Sequence, residues 1–276
     1  SAGMMKDPRI LVDALLRSDL PSFIRQSFHT VAPGVDYLPN WHVEAIAWRL
    51  QQIASSDIRR LIITMPPRSL KSISASVAFP AFVLGHDPTR RIVTASYSSE
   101  LAIKHANDCR AIMRSGWYRR IFPNTRIDPA KDSESEAGDA FSEPKREAVN
   151  AWFSNTMLSR LDDKRRDAIV IVMQRVHQND LVGHVLEKNA SDWTVLALPA
   201  IAEDDHIVQL DAQRTLHRPI GHILHNEREP REVLDALKLD LGSDLFAAQY
   251  QQAPVPPGGA MIKRAWIVRE PIQLIK

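Results

Sequence analysis

The 276-residue chain has a single cysteine, Cys109. That excludes an intrachain disulfide and suits a reducing compartment. Cys109 lies within LAIKHANDCRAIM, where it reads as a small half-buried helical residue and not as a nucleophile. Long apolar runs are missing too: SVAFPAFVL is short and interrupted by Pro80, so no segment has membrane-spanning length. The N-terminus lacks the basic-then-apolar order of a signal peptide, and residues 1–3 read as a cloning scar. Charge of one sign is not in excess. Lys and Arg total 35 against 33 Asp and Glu, a net of +2, so any basic surface for a nucleic acid has to be local. The pairs Arg59-Arg60, Arg90-Arg91, Arg119-Arg120 and Arg165-Arg166 read as solvated helix and loop ends. His177 and His184 are seven apart with no cysteine or acid at metal-site spacing, and read as structural.

What is present is an ordinary globular composition, 44% hydrophobic and 25% charged. WHVEAIAWRLQQIA (Trp41 to Ala54) has helical spacing after Pro39-Asn40. RLIITM is short and rich in β-branched residues and ends at prolines, as a buried strand does. KSISASVAFPAFVLG predicts a helix ending near Gly85, with Pro80 as a kink. RRIVTAS reads as a second buried strand and SSELAIKHANDCRAIMRS as a long amphipathic helix. Strand–helix–strand–helix predicts an α/β fold with a mostly parallel sheet flanked by helices. A polar insert near 124–143 follows. After it come a helix over REAVNAWFSNTMLSRL, a strand AIVIVM, a helix NDLVGHVLEK and a strand WTVLALPAI. REVLDALKLDLGSDLFAAQYQQ is helical again, and APVPPGGAMIKRAW has the Pro and Gly content of a linker.

The segment LIITMPPRSLKSISASVAF, Leu61 to Phe79, has the outline of a phosphate-binding loop, G-x-x-x-x-G-K-[ST] between a strand and a helix. Lys71 and Ser72 complete its end, but Met65 and Leu70 stand where the glycines are expected. The chemistry needs backbone N–H groups aimed at an anion at a helix N-terminus, a lysine on the β/γ oxygens and a hydroxyl for Mg²⁺. Two readings remain open on these residues: a nucleotide site, or a strand–turn–helix with a solvated lysine.

MPPRSLKS followed by RIVTASYSSELA resembles the large terminase subunit of tailed phages and prophages, the motor that packages DNA into a procapsid. The likeness continues through LPNWHVEAIAWRL, MLSRLDDKRRDAIVIVMQRVHQNDLVGHVLEK, LALPAIAE and FAAQYQQAPVPPGGAMIKRAW, from about Pro39 to Trp266. It implies a P-loop NTPase-like fold that uses ATP and Mg²⁺ to drive double-stranded DNA, in the cytoplasm of a bacterial host. Portal protein, terminase small subunit and a homo-oligomeric ring are the implied partners. It further implies that Pro67, Arg68, Ser69, Leu70, Lys71 and Ser72 cradle the nucleotide. Lys71 would hold the β/γ-phosphates, Arg68 would lie near the γ-phosphate and Ser72 would ligand Mg²⁺. Trp41 and His42 match the segment that contacts adenine, although an ordinary core-facing helix explains WHVEAIAW equally well. Gln174 and Arg175, at the end of AIVIVM, match a segment that senses the γ-phosphate. For Gln174 a strand-end residue bonded to nearby backbone is an equal alternative.

An acidic strand is the notable gap. The family carries an aliphatic run ending in Asp-Asp-Pro or Asp-Glu, which holds Mg²⁺ and positions water, and no such run is found. In one alignment Asp128, in RIDP, is its remnant and a metal ligand. In the favoured one the Walker B strand is absent near Glu136–Gly138, and the sheet must be reduced or rearranged. A decayed remnant that binds nucleotide without hydrolysing it is then the alternative function; replacement of the acids from elsewhere, or a segment omitted from the chain, are further explanations. The expected organisation is an N-terminal helical arm (1–38), an ATPase-like domain (39–252) and a linker (253–276) toward an absent nuclease domain.

Overall fold

A computed structural model describes residues 7–93, 99–127 and 143–256, with the backbone of 95–96 and 136–137. In chain order the elements are α1 (Pro8–Ser18), α2 (Leu20–Val31), α3 (Trp41–Ala54), β1 (Arg60–Thr64), a π-helical segment (Ile73–Ala78) running into α4 (Phe79–His86), β2 (Ala95–Ser96), α5 (Ser99–Arg114), α6 (Gly116–Ile121) and β3 (Glu136–Ala137). Then follow α7 (Glu143–Trp152), β4 (Ile169–Met173), α8 (Leu181–Asn189), β5 (Thr194–Ala197), β6 (His206–Gln209), β7 (Thr215–Arg218), α9 (Arg231–Leu241) and α10 (Ser243–Gln249).

The centre is a three-stranded parallel sheet in the order β4–β1–β5. Arg60 to Thr64 run in register with Ile169 to Met173 on one side, and Leu61 to Thr64 with Thr194 to Ala197 on the other. β1 is buried on both faces because helices cover both, which is why its sequence is a continuous aliphatic run without alternation. Leu61 and Ile63 face a large cluster built from α2 to α6, while Ile62 faces Phe153, Ile169, Ile171, Val182 and Val185 under α7 and α8. The protein is thus α/β, with a small parallel sheet flanked by helices. None of the described helices is long and apolar enough to cross a membrane.

Several expectations from the sequence change here. Among the described residues RRIVTAS does not form the expected buried strand: Ala95–Ser96 is strand, paired with Glu136–Ala137, while Ile92 and Val93 are exposed and outside any strand. A β-branched run becomes a strand only when a neighbour satisfies its ladder, and none of the three strands of the central sheet pairs with it. Among the described residues the outer edge of β4 is likewise unpaired. The long helix over REVLDALKLDLGSDLFAAQYQQ is two, because Gly242 adopts φ +80° between α9 and α10. The hairpin β6–β7 carries no expectation from the sequence. Upstream of Pro80, Phe79 N–H bonds to Ser74 C=O, five residues back. That wider turn accommodates a ring that would collide with the carbonyl four residues before it.

The residues expected to form an N-terminal arm are two helices packed on the core. Phe23 of α2 is fully buried and touches Phe82, Trp117, Tyr118 and Phe122, with ring centroids 5.2 to 6.3 Å away. Arg120 holds α1 through two bonds to Asp13, and Arg17 donates to the Ile121 carbonyl. Most of the polar insert and the linker beyond residue 256 lie outside the described residues. Phe23→Ala should therefore cost about 3–5 kcal/mol of stability, read as a lower denaturation midpoint. A peripheral arm would lose almost nothing.

Candidate functional site

Parallel strands leave their ligand-facing loops at their carboxyl ends, and three such ends meet here. Leu198 N–H bonds to the Thr64 carbonyl at 2.9 Å, and Met65 N–H reaches the Met173 carbonyl at 3.4 Å. The loop 65–72 therefore departs beside Gln174 on one side and Pro199-Ala200 on the other.

Of the two positions where glycine is expected, Leu70 adopts the conformation glycine would supply, with φ +62°, whereas Met65 does not; the second left-handed residue of the loop is Arg68, with φ +57°. Each left-handed residue with a side chain costs about 1–2 kcal/mol, a strain that the surrounding contacts must offset. The return is a concave run of amides. The N–H groups of Arg68 and Leu70 find no acceptor among the described residues, while Ser69 N–H faces the Pro66 carbonyl across the turn at 67–68, and the helical turn that follows adds its own unpaired N–H groups. Such a concavity at a helix N-terminus attracts an anion.

Lys71 is buried, and its Nζ folds back to donate to the Pro66 carbonyl at 2.9 Å. Burial pulls its pKa down to about 8. At neutral pH the ammonium is still charged, held at a cost by a loop with no carboxylate against it. Ser72 is half-buried at the start of the helical turn. Arg68 is exposed beside a shallow cleft that the loop forms with the 223–229 turn, lined by Pro67, Ser69, Leu224, His225, Arg228 and Glu229 among others. Burial raises the Glu229 carboxyl, against the pull of Arg228 and Arg68. The buried Ser69 Oγ and the His225 Nε2 have no partner among the described residues.

The segment expected at adenine is turned inward. His42 is 1% exposed, and its Nε2 lies 2.9 Å from the Ser69 carbonyl. Its Nδ1 meets Asn40 Nδ2, which also donates to the Leu224 carbonyl at 2.7 Å. His42 therefore holds the loop from behind, and burial keeps the ring neutral, with a pKa lowered to about 4. Trp41 is half-buried, with the Arg218 guanidinium 5.6 Å above its ring and His222 beside it. Arg218 is itself fully buried, with no carboxylate against it among the described residues. Its Nη2 donates to the Pro199 carbonyl at 2.6 Å and to that of His222, and burial lowers its pKa to about 10.

At the end of β4, Gln174 is half-buried one residue past the strand. Arg175 is engaged by Asp180: Nε lies 3.0 and 2.9 Å from the two carboxylate oxygens, and Asp180 also accepts from Val176, His177 and Gly183 N–H. Asp180 is fully buried and caps α8. Arg175 N–H donates to Gln252 Oε1, which ties this segment to the C-terminal helices. Asp128 lies outside the described residues. Among those described, no group of three His, Cys, Asp or Glu could hold a metal. These residues fit a phosphate chain, and the Ser72 hydroxyl is the group they offer to a metal ion on it. Cys109 is kept protonated by burial, its pKa raised to about 11.

Sequence reasoning missed Asn40, Asp180, Arg218 and Glu229. Asp180 was recoverable as the acidic residue preceding an apolar helix; Arg218 and Glu229 carry no local signal. No protein-family profile matches the chain, and no curated relative matches it either.

Two stability measurements check this electrostatic picture. Free His42 protonates near 6.5, so the stability it contributes is complete above that pH. It falls as pH drops toward 4, by up to about 3 kcal/mol; His42→Gln should flatten this acid limb. Lys71→Met removes a buried ammonium at the loss of the Pro66 bond. It should raise the stability of the ligand-free protein by about 1–2 kcal/mol at pH 7, seen as a higher Tm.

Proposed function

We propose that loop 65–72 binds the phosphate chain of ATP in a P-loop NTPase-like fold. In this reading the chain is the ATPase part of a terminase large subunit, coupling hydrolysis to the movement of double-stranded DNA. The observation that carries the proposal is the left-handed backbone at Arg68 and Leu70, which leaves their amides unpaired ahead of a helix N-terminus, with the Lys71 ammonium held on the loop's own Pro66 carbonyl. A side chain at φ +62° is a strained state that an ordinary surface turn would relax. In an anion cradle the strain has a use.

On binding, the phosphates would take the place of the Pro66 carbonyl as partner of the Lys71 ammonium. The free amides would direct their hydrogens at the phosphate oxygens. Arg68, exposed at the mouth, adds a cation for the terminal phosphate. Mg²⁺, where present, would lower the charge of the phosphate chain.

A second reading is favoured by one specific observation. The outer edge of β4 is unpaired among the described residues. That supports a remnant that binds nucleotide without turning it over. ATP binding and ATP turnover, with and without double-stranded DNA, separate the two. The motor reading expects DNA-stimulated turnover that Lys71→Ala abolishes, whereas the remnant reading expects binding alone, weakened at least about tenfold by the same change. No binding by the intact chain overturns both.

A further inference from the structure

The loop's strained backbone needs a hold from outside, and one chain of hydrogen bonds provides it. The Ser69 carbonyl can only accept, so the His42 Nε2 at 2.9 Å carries the proton and donates. Its Nδ1 then presents a lone pair, which accepts one N–H of the Asn40 amide. The other N–H of that amide donates to the Leu224 carbonyl at 2.7 Å. The direction of every bond follows from that first constraint. Asn40 stands at the N-cap of α3 yet makes no capping bond with its side chain, so the amide is committed to this chain and not to the helix.

We propose that Asn40 and His42 are positioning residues of the phosphate loop, locking the Ser69–Leu70 peptide in the orientation that an anion requires. Carbonyl and N–H point opposite ways across a trans peptide. Drawing the Ser69 carbonyl toward His42 therefore turns the Leu70 N–H away from His42, into the concavity. It also keeps Leu70 at φ +62°. Released, that peptide can rotate so that Leu70 relaxes to an ordinary negative φ, which turns its N–H out of the cradle. The relief of strain and the worth of one hydrogen bond are of comparable size, so one bond decides the orientation. The same chain links the loop to the 223–229 turn that carries Arg228 and Glu229, so both walls of the cleft are set from one point.

The consequence for nucleotide affinity rests on the phosphate-site reading, whereas the lock itself does not. Spectroscopy of the ligand-free chain tests the lock. The ¹⁵N shifts of the His42 ring should show the Nε2–H tautomer, and the Leu70 Cα shift should be that of a left-handed residue. In His42→Asn, whose amide is too short to reach Ser69, the Leu70 shift should move to that of an ordinary residue. His42→Gln, which places an N–H near the position of Nε2, should keep it. Asn40→Ser supplies a good cap for α3, so Tm should not fall, and the Ser69 carbonyl still selects the Nε2–H tautomer; the ring loses the amide that holds it, so the Leu70 shift should move toward that of an ordinary residue. ATP affinity should drop about 3–10-fold in His42→Asn and Asn40→Ser and stay within about twofold in His42→Gln. An Nδ1–H tautomer in the native chain, or the same Leu70 shift in His42→Asn and His42→Gln, overturns the lock. If the shifts separate the variants as expected while the native chain binds no ATP, the lock stands and the phosphate-site reading falls.

Discussion

The parallel ladder that seats β1 between β4 and β5 fixes where the loop leaves the sheet, and the rest of the site is arranged around that exit. With partners on both sides, β1 cannot slide or tilt without breaking two registers at once. Its last residues therefore deliver Pro66 to Lys71 at one place, next to Gln174 and Pro199. The helix that begins at Lys71 continues through a π turn into α4, whose buried face locks it against α2 and α5. Strand and helix are rigid, and the loop has little freedom but to bridge them. Such a bridge, with two left-handed residues that are not glycine, is affordable only between fixed ends.

Around this exit the protein has buried several polar groups at a cost to its stability. Among the described residues Lys71, buried against the loop, and Arg218, beside Trp41, have no counter-charge, and His42 is held neutral. Each group engages backbone carbonyls: Pro66 for Lys71, Pro199 and His222 for Arg218, Ser69 for His42. Lys71 and Arg218 are thus cations held by carbonyls, an arrangement that costs stability and that the proposed anion site would account for. Asp180 is the contrast, since its carboxylate is matched by the Arg175 guanidinium and by backbone N–H groups, and it organises the start of α8.

The reduced sheet is the other consequence of the chain's composition. Neither Ile92-Val93 nor the outer edge of β4 finds a strand partner among the described residues, and the aliphatic run that reads as a strand is exposed. Periodicity could not foresee this, because a strand is a property of two segments and RIVTAS carries information about one. The hairpin β6–β7 escaped for a related reason: its four-residue strands are too short to stand out from the polar turn between them.

Elements whose pattern is local were legible in advance. α3 begins and ends where its apolar spacing does, β1 and β4 coincide with their aliphatic runs, and α8 follows its cap. Lys71 and Ser72 were legible for the same reason, being fixed by spacing from a strand end. By itself the sequence determined a parallel α/β core and a loop with a lysine at a helix N-terminus, because both are written in residues close along the chain. The tertiary structure alone decided that Leu70 can do the work of a glycine, that His42 faces the loop and that Arg218 lies under Trp41. The hold on Leu70 and His42 depends on hydrogen bonds between residues 27 and 184 positions apart, and spacing along a sequence carries no record of which distant carbonyl a side chain will meet.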